Sequence, residues 1–150
     1  MLPGRLVFHS YINYGESSSN LYLLDFLAKV LARLNTAAWN LLDPMNAHIS
    51  RDGKKLVFMA RQASNWHVFI WTVGAENPPL NLTAALGGRN EYPKFSSDGK
   101  RIVFKHEGDI QFATLCFVGN EVIGVATWHA VTSNGWMIEE SMLFISPSGK

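Results

Sequence analysis

Short apolar runs separated by polar turn residues fill the chain. Phe95 is followed by Ser96-Ser97-Asp98-Gly99-Lys100, then by the apolar Ile102-Val103-Phe104, a polar loop, and a second apolar run, Ile110-Gln111-Phe112-Ala113. Asp-Gly between two apolar runs is a strong hairpin signal, because glycine takes the positive φ that tight turns require. The same order recurs. Ile49-Ser50-Arg51-Asp52-Gly53-Lys54 and Ile145-Ser146-Pro147-Ser148-Gly149-Lys150 share the form apolar-Ser-x-Asp/Ser-Gly-Lys with Phe95 to Lys100. The strand after the first turn, Leu56-Val57-Phe58, aligns with Ile102-Val103-Phe104. The third turn ends the chain, and its matching strand stands at the other end, as Leu6-Val7-Phe8 after Gly4-Arg5.

Further strands follow in register. A third is expected at 21–24, 68–71 and 110–113, and a fourth near 30–34, 80–83 and 122–127. Gly4, Lys54, Lys100 and Lys150 mark the period, at intervals of 50, 46 and 50 residues. One stretch competes with this reading. Leu23, Leu27, Val30, Leu31 and Leu34 have helical spacing and alone predict a helix over 23–34. The repeat register predicts strands there instead.

Four antiparallel strands repeated every forty to fifty residues describe the blades of a β-propeller. The expectation is an all-β chain of three four-stranded blades, with repeat units of 4–53, 54–99 and 100–149. The turn and its flanking strands resemble the repeat of TolB-like β-propellers, Pro-x-aromatic-Ser-Pro-Asp-Gly-Lys-x-Ile-x-Phe followed later by Leu-Thr. Tyr92-Pro93-Lys94-Phe95-Ser96-Ser97-Asp98-Gly99-Lys100 is the best copy, and Leu82-Thr83 keeps the ending. The last copy has Ser146-Pro147 but Ser148 in place of Asp. The first has Ala47 and Arg51 where the family has proline. The resemblance covers nearly the whole chain. It implies the fold and says little of function, since that family includes transport-system partners, protease-associated gates and sugar-active lyases.

Composition narrows the function classes. Apolar residues make up 47% of the 150, which predicts a packed core rather than disorder. Thirteen Lys+Arg against twelve Asp+Glu give a net charge of +1, no field to draw nucleic acid or an anionic membrane. No apolar run reaches the length of a membrane helix. The start lacks a basic segment followed by a long apolar stretch, so no signal peptide is read and a cytoplasmic location is expected, or a periplasmic one if a signal has been removed. Cys116 is the one cysteine and sits in an apolar run, as a small core residue would. His9, His48, His67, His106 and His129 show no metal-ligand spacing, and no cofactor or metal is expected. Asn81-Leu82-Thr83 has the pattern of a glycosylation site, but the repeat itself expects Leu-Thr there.

No phosphate loop, nucleophile elbow or Cys/His catalytic set is present. Two segments preceding the innermost strands of successive blades are expected to be loops rimming one channel mouth. They carry Arg89, Asn90 and Tyr92, and Trp136, Glu139 and Glu140. An aromatic, an arginine and carboxylates at one rim suit a polar or sugar-like ligand or a partner protein. The leading expectation is therefore a non-catalytic binding or scaffold propeller. A channel-based hydrolase or lyase acting on a polysaccharide is the alternative.

Three blades are too few to close a ring, since propellers have about four to eight. Two copies make six. The expected assembly is a homodimer in which residues 142–146 of each chain complete the blade begun by its partner's first strand. Leu6, Phe8, Leu143, Phe144 and Ile145 would be buried at the junctions.

Overall fold

A computed structural model describes residues 4–14 and 16–133. Eleven strands lie among them: β1 (Arg5–Ser10), β2 (Asn20–Asp25), β3 (Val30–Arg33), β4 (Leu42–Ile49), β5 (Lys55–Gln62), β6 (Asn65–Thr72), β7 (Leu80–Asn81), β8 (Asn90–Phe95), β9 (Arg101–His106), β10 (Asp109–Val118) and β11 (Glu121–Ala130). They form three antiparallel sheets, β1-β2-β3, β4-β5-β6-β7 and β8-β9-β10-β11. Among the described residues the first sheet has three strands and the other two have four, in keeping with a first blade whose remaining strand is expected from residues 142–146.

The serine, aspartate and glycine of the turns each have a structural task. Between β4 and β5, Asp52 Oδ1 accepts the Ser50 hydroxyl at 2.6 Å and the Lys54 N–H at 3.0 Å. Ser50 Oγ accepts the Lys55 N–H at 2.9 Å, and Gly53 turns back at φ 71°. Between β8 and β9, Ser96, Asp98, Lys100, Arg101 and Gly99 repeat every one of these features. The side chains satisfy backbone donors that the turn would otherwise leave unpaired.

The stretch 23–34 is strand, turn and strand. Asp25 Oδ1 accepts the N–H groups of Leu27 and Ala28, which bends the chain where a helix would have continued. Leu27, Val30 and Leu31 are exposed, so their helical spacing marks no buried face.

The middle sheet explains the unbroken apolar runs. Leu56, Phe58, Ala60, Phe69 and Trp71 pack toward the first sheet, together with Leu21 and Trp39. Val57, Val68 and Ile70 pack toward the third, against Phe95, Phe104 and Leu115. Alternate side chains point to opposite faces, and both faces are covered, so every position is apolar. β4 packs against β1 and β2, and β8 packs against β4, β5 and β6. The starts of β4 and β8, the β1–β2 loop and the β5–β6 and β9–β10 hairpins therefore share one end of the stack. The Asp-Gly turns share the other.

Leu6-Val7-Phe8 differs from its counterparts. Leu56, Val57, Phe58, Ile102 and Phe104 are fully buried, whereas Leu6 is 47% exposed and Phe8 is half-buried, stacked on Tyr22. Among the described residues no strand occupies, beside β1, the position that β4 holds beside β5.

Candidate functional site

β8 begins at Asn90, so Asn90 and Tyr92 lie in a strand rather than in the loop the sequence predicts. Asn90 is completely buried. Its amide donates to the carbonyls of Gly87 at 2.7 Å and Gly88 at 3.2 Å, and its Oδ1 meets His106 Nδ1 at 2.9 Å. Those contacts use its polar atoms to clamp the turn before β8 against β9. Gly87 and Gly88 take φ values of 68° and 59°, which favour glycine. The next residue, Arg89, gives its N–H to the Glu107 carboxylate and leaves its guanidinium half-exposed.

The following register position carries the main chemical anomaly. In the middle sheet β4 pairs with β5 through Met45 and Met59, both buried. At the same place in the third sheet, Glu91 faces Lys105, 1% and 2% exposed. Lys105 Nζ is 3.4 Å from Glu91 Oε2, which accepts no hydrogen bond, while Arg89 Nη2 meets Oε1 at 2.7 Å. Taking two charges out of water costs several kcal/mol per ion, and an apolar pair of similar size often serves stability as well or better. The methionine pair shows that the fold accepts the apolar solution at this site.

Tyr92 lies next to the pair. Its φ of 54° is unusual for a residue other than glycine and coincides with a register shift between Glu91 and Lys94. Asn46 in β4 has φ 51° at the corresponding shift. The bulge brings the Tyr92 ring to 5.1 Å from Lys105 Nζ. Burial, then the Glu91 charge, raises the Tyr92 phenol above its ordinary pKa, and Tyr14 adds to the effect.

A second ion pair stands at the same end. The buried Asp43 carboxylate accepts both Nε and Nη2 of Arg61, and Nη2 also reaches Ser17 Oγ at 2.9 Å. Arg61 lies over the Trp66 ring. Across this end runs the β1–β2 loop, in which Tyr11 stacks on His9 of β1 and meets Tyr14 edge-on. Tyr11, Ile12 and Tyr14 are exposed, Ile12 to 87%. Loop aromatics, two arginines and a buried ion pair thus share one surface.

Arg89 and Tyr92 fall on this surface and Asn90 beneath it. Trp136, Glu139 and Glu140 lie outside the described residues, as do Leu143, Phe144 and Ile145. Glu91, Lys105, Asp43, Arg61, Tyr11 and Tyr14 form no local motif in the sequence. A signal for two of them was present, since Glu91 and Lys105 replace methionines in the aligned repeat. His9 and His48 have structural partners, their Nδ1 atoms accepting the N–H groups of Asn46 and Phe95. Among the described residues no three His, Cys, Asp or Glu side chains are grouped to hold a metal. No helix there is long and apolar enough to cross a membrane. Two cavities formed by described residues lie at the opposite end, among the Asp-Gly turns and outer strands.

No protein-family model and no curated protein matches the chain. Solved structures do. A TolB-like protein from Agrobacterium tumefaciens aligns with 79% of this chain and 40% of its own length, at 21% identity and a TM-score of 0.58. TolB from Acinetobacter baumannii aligns with 79% of this chain and 28% of its own, at 19% identity and 0.54. A protein from Lactobacillus plantarum aligns with 85% of this chain and 37% of its own, at 14% identity and 0.56. The chain spans less than half the length of each. At such identities the likeness establishes a fold: three stacked antiparallel sheets of the β-propeller type.

Proposed function

We propose that this chain is half of a non-catalytic binding propeller, closed by a second copy and taking a partner protein at the mouth formed by Arg89, Tyr92 and the β1–β2 loop. The observation that carries the binding reading is the buried Glu91–Lys105 pair where the neighbouring sheet holds methionines. A buried ion pair that packing does not demand is explained by what it positions. Here it fixes Arg89 through Oε1 and Tyr92 through the lysine, on the surface where Tyr11, Ile12 and Tyr14 are exposed. Exposed aromatics beside arginine are the composition of protein-binding hot spots. An apolar side chain as exposed as Ile12 beside them favours a peptide over a sugar.

The closure reading rests on Leu6. The aligned apolar tripeptide is buried in two sheets and open in the first, where no inner strand stands among the described residues. Residues 142–146 of a second copy would supply it, burying Leu6 and Phe8 against Leu143, Phe144 and Ile145 and giving six blades.

Selection of a displayed peptide library on the immobilised protein tests the binding reading. Enriched peptides should lose about tenfold or more in affinity on Arg89→Ser and on Tyr14→Ala. Peptides that bind both variants as tightly as the wild type, or no enrichment at all, would refute it.

A further inference from the structure

The end opposite the mouth carries a cleft that the binding reading does not use. It lies between the middle and third sheets. Its inner part, about 670 Å³, is set between the two Asp-Gly turns and is lined by Arg51, Lys55, Lys100 and Phe117 among others. Its outer part, about 450 Å³, runs past Ile70, Trp71, Leu80 and Val122. Lys55 and Asn120 line both parts, so the two are continuous. Each volume falls in the range of small-molecule sites, roughly 300–1,000 Å³. The outer wall is braced by Trp71, whose indole N–H donates to the Asn77 carbonyl at 3.1 Å.

Glu121, exposed at the start of β11, lines the outer part, and the charges of the inner part are of two kinds. Asp52 and Asp98 are turned into their own turns, where each accepts a serine hydroxyl and a backbone N–H. Those hydrogen bonds come first among the causes that hold both carboxyls below the ordinary range. The cations are placed differently. Lys55 is half-buried at the junction of the two parts, with Nζ 5.9 Å from the Phe117 ring centroid. Arg51 and Lys100 flank it on the two turns. The cleft therefore presents an ammonium beside an aromatic face, with an apolar wall leading outward from it.

We propose that this cleft binds a small aromatic anion, a flat apolar body carrying one phosphate, phosphonate or carboxylate group. The anionic head meets Lys55 between Arg51 and Lys100, and the ring lies along Phe117 toward Ile70 and Leu80. Both elements are needed. Charge-assisted contacts fix the head, and burial of the ring supplies affinity that the open, solvated cations alone do not.

Amide-resolved NMR titration of the whole chain with phenylphosphonate and phenylacetate tests this directly, with benzyl alcohol and inorganic phosphate as the single-element controls. The aromatic anions should shift amides in 51–55, 97–101 and 117–121, and should bind about tenfold or more tightly than either control. Lys55→Met, which keeps the apolar stem, should weaken phenylphosphonate by about tenfold, and Lys100→Gln by a smaller factor in the same direction. Lys54→Met, on an exposed neighbour that does not line the cleft, should leave it unchanged. Thermal melts of each variant separate lost binding from lost folding. Lys55→Met binding as well as the wild type, shifts centred elsewhere, inorganic phosphate binding as tightly as the aryl anions, or no binding at about 10 mM would each overturn the proposal.

Discussion

Replacing the Glu91–Lys105 pair by the methionines of the neighbouring sheet separates what the fold requires from what the mouth requires. Glu91→Met takes the carboxylate from an ammonium that is 2% exposed. Removing one partner of a buried pair costs about 3–5 kcal/mol, because the other charge is left in a low-dielectric site. The Tyr92 ring at 5.1 Å offsets part of that, on the order of 1–2 kcal/mol. Lys105→Met is milder, since Glu91 keeps Arg89 at 2.7 Å, and about 1–3 kcal/mol is expected. The double variant restores a pairing that β4 and β5 already accommodate as Met45 and Met59. It should therefore lie within about 1 kcal/mol of the wild type or above it. Urea unfolding of all four proteins at one concentration, followed by tryptophan fluorescence, gives the cycle, and a favourable coupling of about 1–7 kcal/mol is expected from these ranges. The stable double variant should no longer bind peptides selected on the wild type. Costs that simply add, leaving the double variant the least stable of the four, would show that the ion pair serves the fold and would remove the argument for the mouth.

Three further outcomes follow from local chemistry. Burial lowers the pKa of His9, His48 and His67 below 6.5, so the unfolded chain takes up their protons first; stability should be full above about pH 6.5 and fall as pH drops below it, with His48→Asn flattening that fall in thermal melts. Asp25, Asp52 and Asp98 are held below 3.8 chiefly by hydrogen bonds, so their contribution is present above that pH and is lost on further acidification, a separate limb of the same melts. Asp98→Ala should destabilise by about 1–2 kcal/mol and Asp98→Asn by less, because the amide oxygen still accepts from Ser96 and Lys100; equal losses in chemical denaturation would contradict that account of the turn.

The strands and turns were legible because each is a local pattern. Ser-x-Asp-Gly closes its own hydrogen bonds, and Leu56-Val57-Phe58 is continuous because both faces of its sheet are covered. The apparent helix over 23–34 shows the limit of periodicity: helical spacing and a two-sided strand pair share several positions, and the bend at Asp25 decides between them. The surface proposed as the mouth is less legible. Arg89 and Tyr92 stand out in the sequence as an arginine and an aromatic just before and within one apolar-turn repeat. The same pattern places Asn90 at the surface, whereas it is buried with its polar atoms engaged. Glu91 and Lys105 are fourteen residues apart in sequence and meet through strand pairing, so neither looked unusual alone. Their anomaly emerges when each is set against the methionine at the same place in the neighbouring sheet.

If two copies make one ring, the mass of the protein in solution shows it. Light scattering of the purified chain at about micromolar concentration should give twice the chain mass of 16.7 kDa, and deleting residues 141–150 should abolish the soluble dimer. A mass of 16.7 kDa across the accessible concentration range would contradict the ring and leave the first sheet's open edge without the partner proposed for it.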